Sequence, residues 1–228
     1  MAEEAFRQRT QRPAVVLDIG GFRPPAEPLA SWFGRVSALG RGEPWPTHAG
    51  VPLAPLAQVN LADFPFRPPG TEDLAFLSLW IDAAAPPPAG LPNGRRWCLR
   101  AYATLAELEP VAAAAPSVAR PFPMRPRLVE ADHPCWEDAG DVPPELEDGF
   151  SERFPNAPGF KFGGWPSLVQ SEIQWAAPEP HPAAPGFVFQ IDSAPKAGWS
   201  WGDGGVGYVG RGTAPGQRGT WVLEWQGL

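Results

Sequence analysis

The sequence predicts an α+β fold that is predominantly antiparallel β-structure, arranged as one domain built from two internal repeats. Short apolar runs recur between turns rich in glycine and proline, which is typical of chains of short strands. Two stretches carry the same landmark words in the same order. The 11 Trp and 13 Phe residues can bury enough apolar surface to order a chain with 25 Gly and 32 Pro.

The repeats are predicted over residues 30–103 and 159–228, joined by a Pro/Ala-rich connection over residues 104–158. Two copies are too few for a solenoid, so we expect them to pair into one pseudo-symmetric domain. A chance coincidence in a chain rich in Trp, Gly and Pro is the alternative. The matching landmarks are Phe33 with Phe162, Trp45 with Trp175, Gln58 with Gln190, and Phe76 with Tyr208.

The first part of the chain predicts a short helix and then strands. Residues 2–10 are tolerable helix formers, and the apolar run over 14–22 ends at a pair of glycines. Alternation or continuous apolar character predicts further strands over 53–64, 74–81 and 96–103.

The second part predicts one cap, one helical turn and four strands. Thr104, with Glu107 three residues later, has the spacing of a capping box for a short helix. A helical turn is expected near 144–153. The strands are predicted over 125–132, 186–192, 205–210 and 219–226.

The words KFGGWPSLVQ, FQIDS and WGDGGVGY resemble the signature words of the YwqG-like proteins, a bacterial family of unknown function. SWFG and PLAPLAQVNL resemble the amino-terminal words of that family. The resemblance covers residues 30–82 and 159–226. The chain departs from the family's pattern at Arg35, where a second glycine is usual. It implies a mixed fold with much β-structure and an internal repeat, and it implies no catalytic residues.

Composition bounds the partners and the compartment. The formal net charge is −7, and the longest basic run is Arg95-Arg96, so a nucleic-acid partner is not expected. An apolar run of about 20 residues is missing, as is a signal-peptide core, so we expect a cytoplasmic protein without membrane contact. Its two cysteines, Cys98 and Cys135, are then expected to be reduced.

The sharpest polar set is Gln170, Gln190, Asp192 and Asp203, with Gln58 as the first-repeat counterpart of Gln190. Paired carboxylates can perform acid–base catalysis if one pKa is raised. However, Asp before Gly is a common turn former. A glutamine repeated in both halves also fits a structural hydrogen bond better than a catalytic site.

A metal site is not expected. Asp132, His133 and Cys135 offer three ligand types within four residues, but the chain lacks a four-ligand spacing typical of zinc. No cofactor is predicted either, because the glycine-rich words do not match a phosphate-binding loop.

The loop tryptophans allow two interpretations. Five tryptophans lie in stretches rich in Gly and Pro: Trp32, Trp45, Trp165, Trp175 and Trp201. They are either core residues or the wall of a cleft, since aromatic side chains line both ligand pockets and protein interfaces. The paired glycines Gly163 and Gly164 are expected to have positive φ.

Three functions remain open. The first is a non-catalytic cytoplasmic interaction protein with an unknown protein partner, for example of immunity or antitoxin type. The alternative is a small-molecule or carbohydrate-binding module that uses the loop tryptophans. The third is a hydrolase using Asp203 with Asp192. The chain is expected to be a monomer or weak dimer.

Overall fold

The structure, a computed structural model, describes residues 2–24, 26–175 and 180–227. Two α-helices are seen in this part of the chain, together with five 3₁₀ turns and fourteen strands. The helices are α1 (Ala2–Thr10) and α2 (Phe150–Arg153). The strands are β1 (Arg12–Ile19), β2 (Trp32–Phe33), β3 (Ala38–Gly40), β4 (Thr47–His48), β5 (Val51–Pro52), β6 (Ala54–Asn60), β7 (Phe76–Ile81), β8 (Trp97–Tyr102), β9 (Leu108–Pro110), β10 (Phe122–Asp132), β11 (Phe160–Gly163), β12 (Pro185–Asp192), β13 (Val206–Gly212) and β14 (Trp221–Gln226).

Ten strands form one antiparallel sheet in the order β14–β13–β12–β11–β1–β10–β2–β6–β7–β8. The predominance of antiparallel β-structure is therefore confirmed. The helical part is smaller than the α+β expectation implies. We refer to β2, β6, β7 and β8 as the first half, and to β11, β12, β13 and β14 as the second half.

The two halves meet through β1 and β10 at the centre of the sheet. β1 pairs with β10 from Arg12 to Ile19, while β10 also pairs with β2 and β1 pairs with β11. β10 lies inside the stretch predicted to be a connection, residues 104–158. That stretch therefore contributes a central strand of the sheet.

One hydrophobic core contains residues of both halves, as a single domain requires. The connection between β6 and β7 crosses the sheet, so that Phe64 packs edge-on against Phe162 with ring centroids 5.1 Å apart. The sheet also curls until its two ends approach each other. At this seam the Trp225 Nε1 donates to the Pro87 carbonyl at 2.9 Å, which joins β14 to the β7–β8 connection.

Other local predictions have mixed outcomes. Thr104 Oγ1 accepts from the Ala106 N–H, but it caps a single 3₁₀ turn and not a longer helix. The helical turn expected near 144–153 is α2 preceded by a 3₁₀ turn. Positive φ is confirmed at Gly163 (+66°) and Gly164 (+62°). Within the described residues, no helix is both long enough and apolar enough to cross a bilayer.

Candidate functional site

Gln190 on β12 fixes the loop that follows β11, residues 164–171, which we call the second-half loop. Its Oε1 accepts from the Ser167 N–H at 2.8 Å. Its Nε2 donates to Ser167 Oγ at 3.0 Å and to Asp192 Oδ1 at 2.7 Å. Because the side chain is fully buried and both amide hydrogens are used, Gln190 is a structural clamp.

Asp192 belongs to the same network. Its Oδ2 accepts from the Gly159 N–H at 2.6 Å, and its Oδ1 accepts from Gln190. Burial raises the pKa of Asp192, while these two hydrogen bonds and the nearby Lys161 act in the opposite direction. Both carboxylate oxygens of Asp192 are thus engaged with protein donors.

A buried ion pair, Lys161 with Asp132, ties the second-half loop to β10. The Lys161 Nζ lies 3.0 Å from Asp132 Oδ2, and both side chains are fully buried. Asp132 also accepts from the Ala157 N–H at 2.6 Å and from the Trp165 N–H at 2.7 Å. Burial lowers the pKa of the Lys161 ammonium, and the attraction of Asp132 opposes that shift. Lys161 was not among the predicted site residues, although a lysine between two phenylalanines of a strand was a usable signal.

Gln58 performs in the first half what Gln190 performs in the second. Its Oε1 accepts from the Ser37 N–H at 2.7 Å. Its Nε2 donates to the Pro28 carbonyl at 2.9 Å and to the Ala30 carbonyl at 2.6 Å. These hydrogen bonds fix the backbone of residues 28–37, so Gln58 holds a loop in place. Its side chain is fully buried.

Three of the predicted loop tryptophans, Trp45, Trp165 and Trp201, are packing residues. Trp45 donates from Nε1 to the Leu53 carbonyl at 2.7 Å. Trp165 donates to the Thr10 carbonyl at 2.6 Å, and the Arg12 guanidinium lies 3.4 Å from the centroid of its ring. Trp201 is fully buried in the core.

The remaining polar candidates lie at the surface. Asp203 is exposed in the turn 200–204, and that turn is held by Ser200, whose Oγ accepts from Gly204 N–H at 3.2 Å and donates to the Gly202 carbonyl at 2.7 Å. Gln170 is exposed as well, although its backbone N–H donates to Gln226 Oε1. The structure therefore joins Gln190 to Asp192 by a direct hydrogen bond, whereas Gln170 and Asp203 are exposed to solvent.

The residues considered as metal ligands have separate partners. Asp132 pairs with Lys161, His133 Nδ1 lies 3.2 Å from Thr10 Oγ1, and Cys135 Sγ lies 3.5 Å from the Pro166 carbonyl. In the described part of the chain, three or more His, Cys, Asp or Glu side chains do not gather in any place that could hold a metal ion.

A cleft of about 280 Å³ lies at the seam of the sheet, between the β7–β8 connection and β14. None of its described lining residues is charged at neutral pH when histidine is neutral. We call it the seam cleft. Its lining includes Leu91, Trp175, His181, Thr220, Trp221 and Leu223.

Trp175 is held in the seam cleft with a strained backbone. Its φ is +48°, which is unusual for a bulky side chain and costs of order 1–3 kcal/mol. The indole lies directly on Gly210 of β13, where a Cβ would come within 2.8 Å of ring carbons. Gly210 therefore makes the space that the ring occupies. Trp175 is one of the loop tryptophans that the sequence allowed as the wall of a cleft, and it lines this one.

Two polar side chains of the seam cleft keep hydrogen-bonding capacity. His181 Nδ1 accepts from the Ala183 N–H at 3.2 Å, so the neutral ring carries its proton on Nε2 and can donate from there. Thr220 Oγ1 donates to Gln217 Oε1 at 2.9 Å, so its oxygen can still accept. In contrast, Asn93 uses both ends of its amide on the backbone of Leu99.

A second surface is marked by charge. Residues 134–152 contain seven of the 25 acidic residues and none of the 18 basic ones. The rest of the chain therefore has equal numbers of acidic and basic residues. Within this stretch Trp136 is 50% exposed, with its ring edge-on to Phe150 at 5.3 Å. Arg12 lies near Asp138 and offsets part of the charge of this stretch, whereas the Arg153 guanidinium donates to the Glu145 carbonyl and pairs with Glu3 of α1. We call this surface the acidic face.

The fold and its clamped loops define a mostly antiparallel β-protein of an uncharacterised class. A family described as a domain of unknown function (DUF1963) matches residues 31–210. The chain belongs to that family. No curated protein matches the chain.

Proposed function

We propose that this chain is a non-catalytic binding protein whose ligand occupies the seam cleft. The observation that carries the proposal is the strained Trp175, whose indole packs against Gly210 at the wall of a cavity. Backbone strain of this kind persists where the surrounding structure enforces it, and it clusters at ligand-binding positions. The cleft is a concave, mainly apolar site with a few polar groups, as small-molecule sites are.

The non-catalytic part of the proposal rests on how the polar candidates are used. Asp192 accepts from Gly159 and Gln190, which leaves neither oxygen directed at a substrate. Asp203 is an exposed residue of a turn. The hydrolase alternative needs these two carboxylates to share a cleft, and neither lines the seam cleft.

A thermal-shift screen of uncharged small molecules tests the proposal. A ligand should raise the melting temperature of the wild-type protein and of Trp136→Ala, which changes an exposed tryptophan outside the seam cleft. The same ligand should not raise the melting temperature of Trp175→Ala, because that variant lacks the indole at the wall of the cleft. A ligand whose effect persists in Trp175→Ala would contradict the location, and a screen without any saturable effect would contradict the proposal.

A protein-interaction role, for example of immunity or antitoxin type, is the second candidate. It is favoured by the acidic face, where an exposed tryptophan lies among unbalanced carboxylates. Aromatic anchors contribute much of the energy of interfaces, and complementary charge steers association. The expected partner therefore has a basic surface. A pull-down from cell lysate should capture it with the wild type and with Trp175→Ala but lose it with Trp136→Ala; equal capture by all three would contradict this role.

We also infer that the two halves are copies, in line with the YwqG-like resemblance. The strand order is the same outward from β10 and from β1, and Gln58 opposes Trp32 as Gln190 opposes Lys161. The register sets Tyr208 opposite Gln190 and Ser78 opposite Gln58, so the counterpart of Tyr208 in this pairing is Ser78, two residues beyond the expected Phe76. Aligning family members half against half should match the two glutamines; failure to do so would count against duplication.

The bacterial cytoplasm is the proposed location. Cys98 is buried and Cys135 is half-buried, and both are free thiols, as expected in a reducing compartment. Cell fractionation of the source organism checks this, and recovery in a membrane or secreted fraction would contradict it.

A further inference from the structure

We propose that the ligand of the seam cleft is a neutral saccharide, with one sugar ring stacked on the indole of Trp175. This inference rests on the proposed function and adds the chemical class of the ligand. It follows from three properties of the described lining: its charge, its aromatic faces and its remaining hydrogen-bonding groups.

The charge of the lining excludes ionic ligands. A phosphate or carboxylate buried here would lose hydration without meeting a cationic side chain, which is costly. Arg211 lies near the lining, 5.2 Å from the centroid of Trp221, but its guanidinium is already paired with both carboxylate oxygens of Asp73 and so does not offer an anion a free partner. A cation, in turn, would find the Trp221 ring already occupied by Arg211 and would meet no carboxylate in the described lining.

The aromatic faces select a flat, partly apolar ligand. Trp175 is fixed by its contact with Gly210, so the ring is a preformed platform. A preformed platform lowers the ordering cost of binding. A pyranose ring presents C–H groups on its faces and hydroxyl groups around its rim. The first can pack on an indole, while the second need polar partners nearby.

The polar partners are present in the form that hydroxyl groups require. His181 offers a donor at Nε2, and Thr220 offers an acceptor at Oγ1. A hydroxyl group both donates and accepts, so a sugar can use both. The cavity volume of about 280 Å³ lies at the small end of ligand sites, which suits one or two rings.

A proline-rich peptide is the main competitor, because such segments dock in grooves lined by aromatic residues. We favour the saccharide because a polyproline segment has no backbone N–H to donate to Thr220 Oγ1, whereas a sugar hydroxyl group can donate there and accept from His181 Nε2. The two ligands are distinguished by experiment.

The experiment is isothermal titration of the full chain with a panel of neutral methyl hexosides and disaccharides, with a proline-rich peptide and a sugar phosphate alongside. At least one neutral sugar should bind with a Kd of millimolar order or tighter, and Trp175→Ala should weaken it about tenfold or more. Trp175→Phe should retain part of the affinity, because a smaller aromatic face remains. His181→Ala should weaken binding several-fold without loss of folding, because its side chain lies outside the sheet. Trp136→Ala should bind as wild type.

The outcomes separate this inference from the proposed function. Saturable binding of the peptide or of another uncharged compound, lost in Trp175→Ala, would keep the proposed function and overturn the saccharide. Preference for the sugar phosphate over its neutral sugar would also overturn it, because the lining would then tolerate charge. Absence of any Trp175-dependent ligand would overturn both. His181→Ala gives a readout even if Trp175→Ala fails to fold.

Discussion

Replacing Lys161 with methionine tests how the second-half loop is held in place. Methionine keeps the unbranched shape of lysine but removes the ammonium group. In the native protein that group lies 3.0 Å from Asp132 Oδ2 and 3.2 Å from Asn156 Oδ1. After the substitution Asp132 would remain buried with its charge and without its cationic partner.

The size of the effect follows from that uncompensated charge. Removal of one partner of a buried ion pair costs about 3–5 kcal/mol. The N–H groups of Ala157 and Trp165 still donate to Asp132, so we expect the lower end, about 3 kcal/mol. In a chain of this size each kcal/mol lowers the melting temperature by about 2–4 °C, which gives a decrease of about 6–12 °C.

Calorimetry and urea titration measure this change, and the matched control is Lys196→Met. Lys196 is the other lysine of the chain and is exposed, and its ammonium donates to the Ile19 carbonyl, so its loss should cost no more than about 1 kcal/mol. A loss of less than about 1 kcal/mol for Lys161→Met would refute the reasoning, because it would mean that Asp132 does not depend on this cation.

Three further predictions concern local stability. Gly164→Ala should cost more than Gly198→Ala in urea titrations: both have positive φ, worth about 1–2 kcal/mol, but only at Gly164 would a Cβ come within 2.1 Å of a carboxylate oxygen. Equal costs would contradict the predicted clash. Two arginines lower the pKa of Asp73, so its ion pairs stabilise the fold above a pH of about 4 and are lost as pH falls further. Asp73→Asn should therefore cost about 1 kcal/mol at pH 7, with a deficit that narrows in acid; a deficit that is constant with pH would contradict this. Ser200→Ala should cost about 1 kcal/mol and Asp203→Ala less than about 0.5, as measured by thermal unfolding. The reverse order would make Asp203 the turn former.

The local features of the fold could be predicted from the sequence, because they depend on residues that are neighbours in the chain. Period-two alternation identified β6, and paired glycines predicted positive φ at Gly163 and Gly164. The repetition of a glutamine in both halves led to the loop-holding interpretation of Gln58, and its hydrogen bonds to Ser37 and Pro28 have that geometry.

The features that the sequence could not supply depend on residues far apart in the chain. Lys161 and Asp132 are separated by 29 residues, and only the pairing of β1 with both β10 and β11 brings them together. The seam cleft is more remote still, because Trp175 and Trp221 lie beside a loop of the first half only after the sheet curls. The residue that holds the turn 200–204 was also not the expected one. Asp203 before Gly204 is a common turn signal, and yet Ser200 Oγ forms the hydrogen bonds across this turn.

The proposed duplication gives an independent reason to look for function at Trp175. The clamps Gln58 and Gln190 hold a loop in each half. Trp45 is the first-half landmark that matches Trp175, and its indole is bonded to the Leu53 carbonyl at 2.7 Å. Trp175 departs from this arrangement: its φ is positive, its ring lies on a glycine of β13, and a cavity opens beside it. If the two halves are copies, this difference between Trp175 and its landmark counterpart Trp45 is what the proposed ligand of the seam cleft would explain, because binding would then be the reason that the strain is kept.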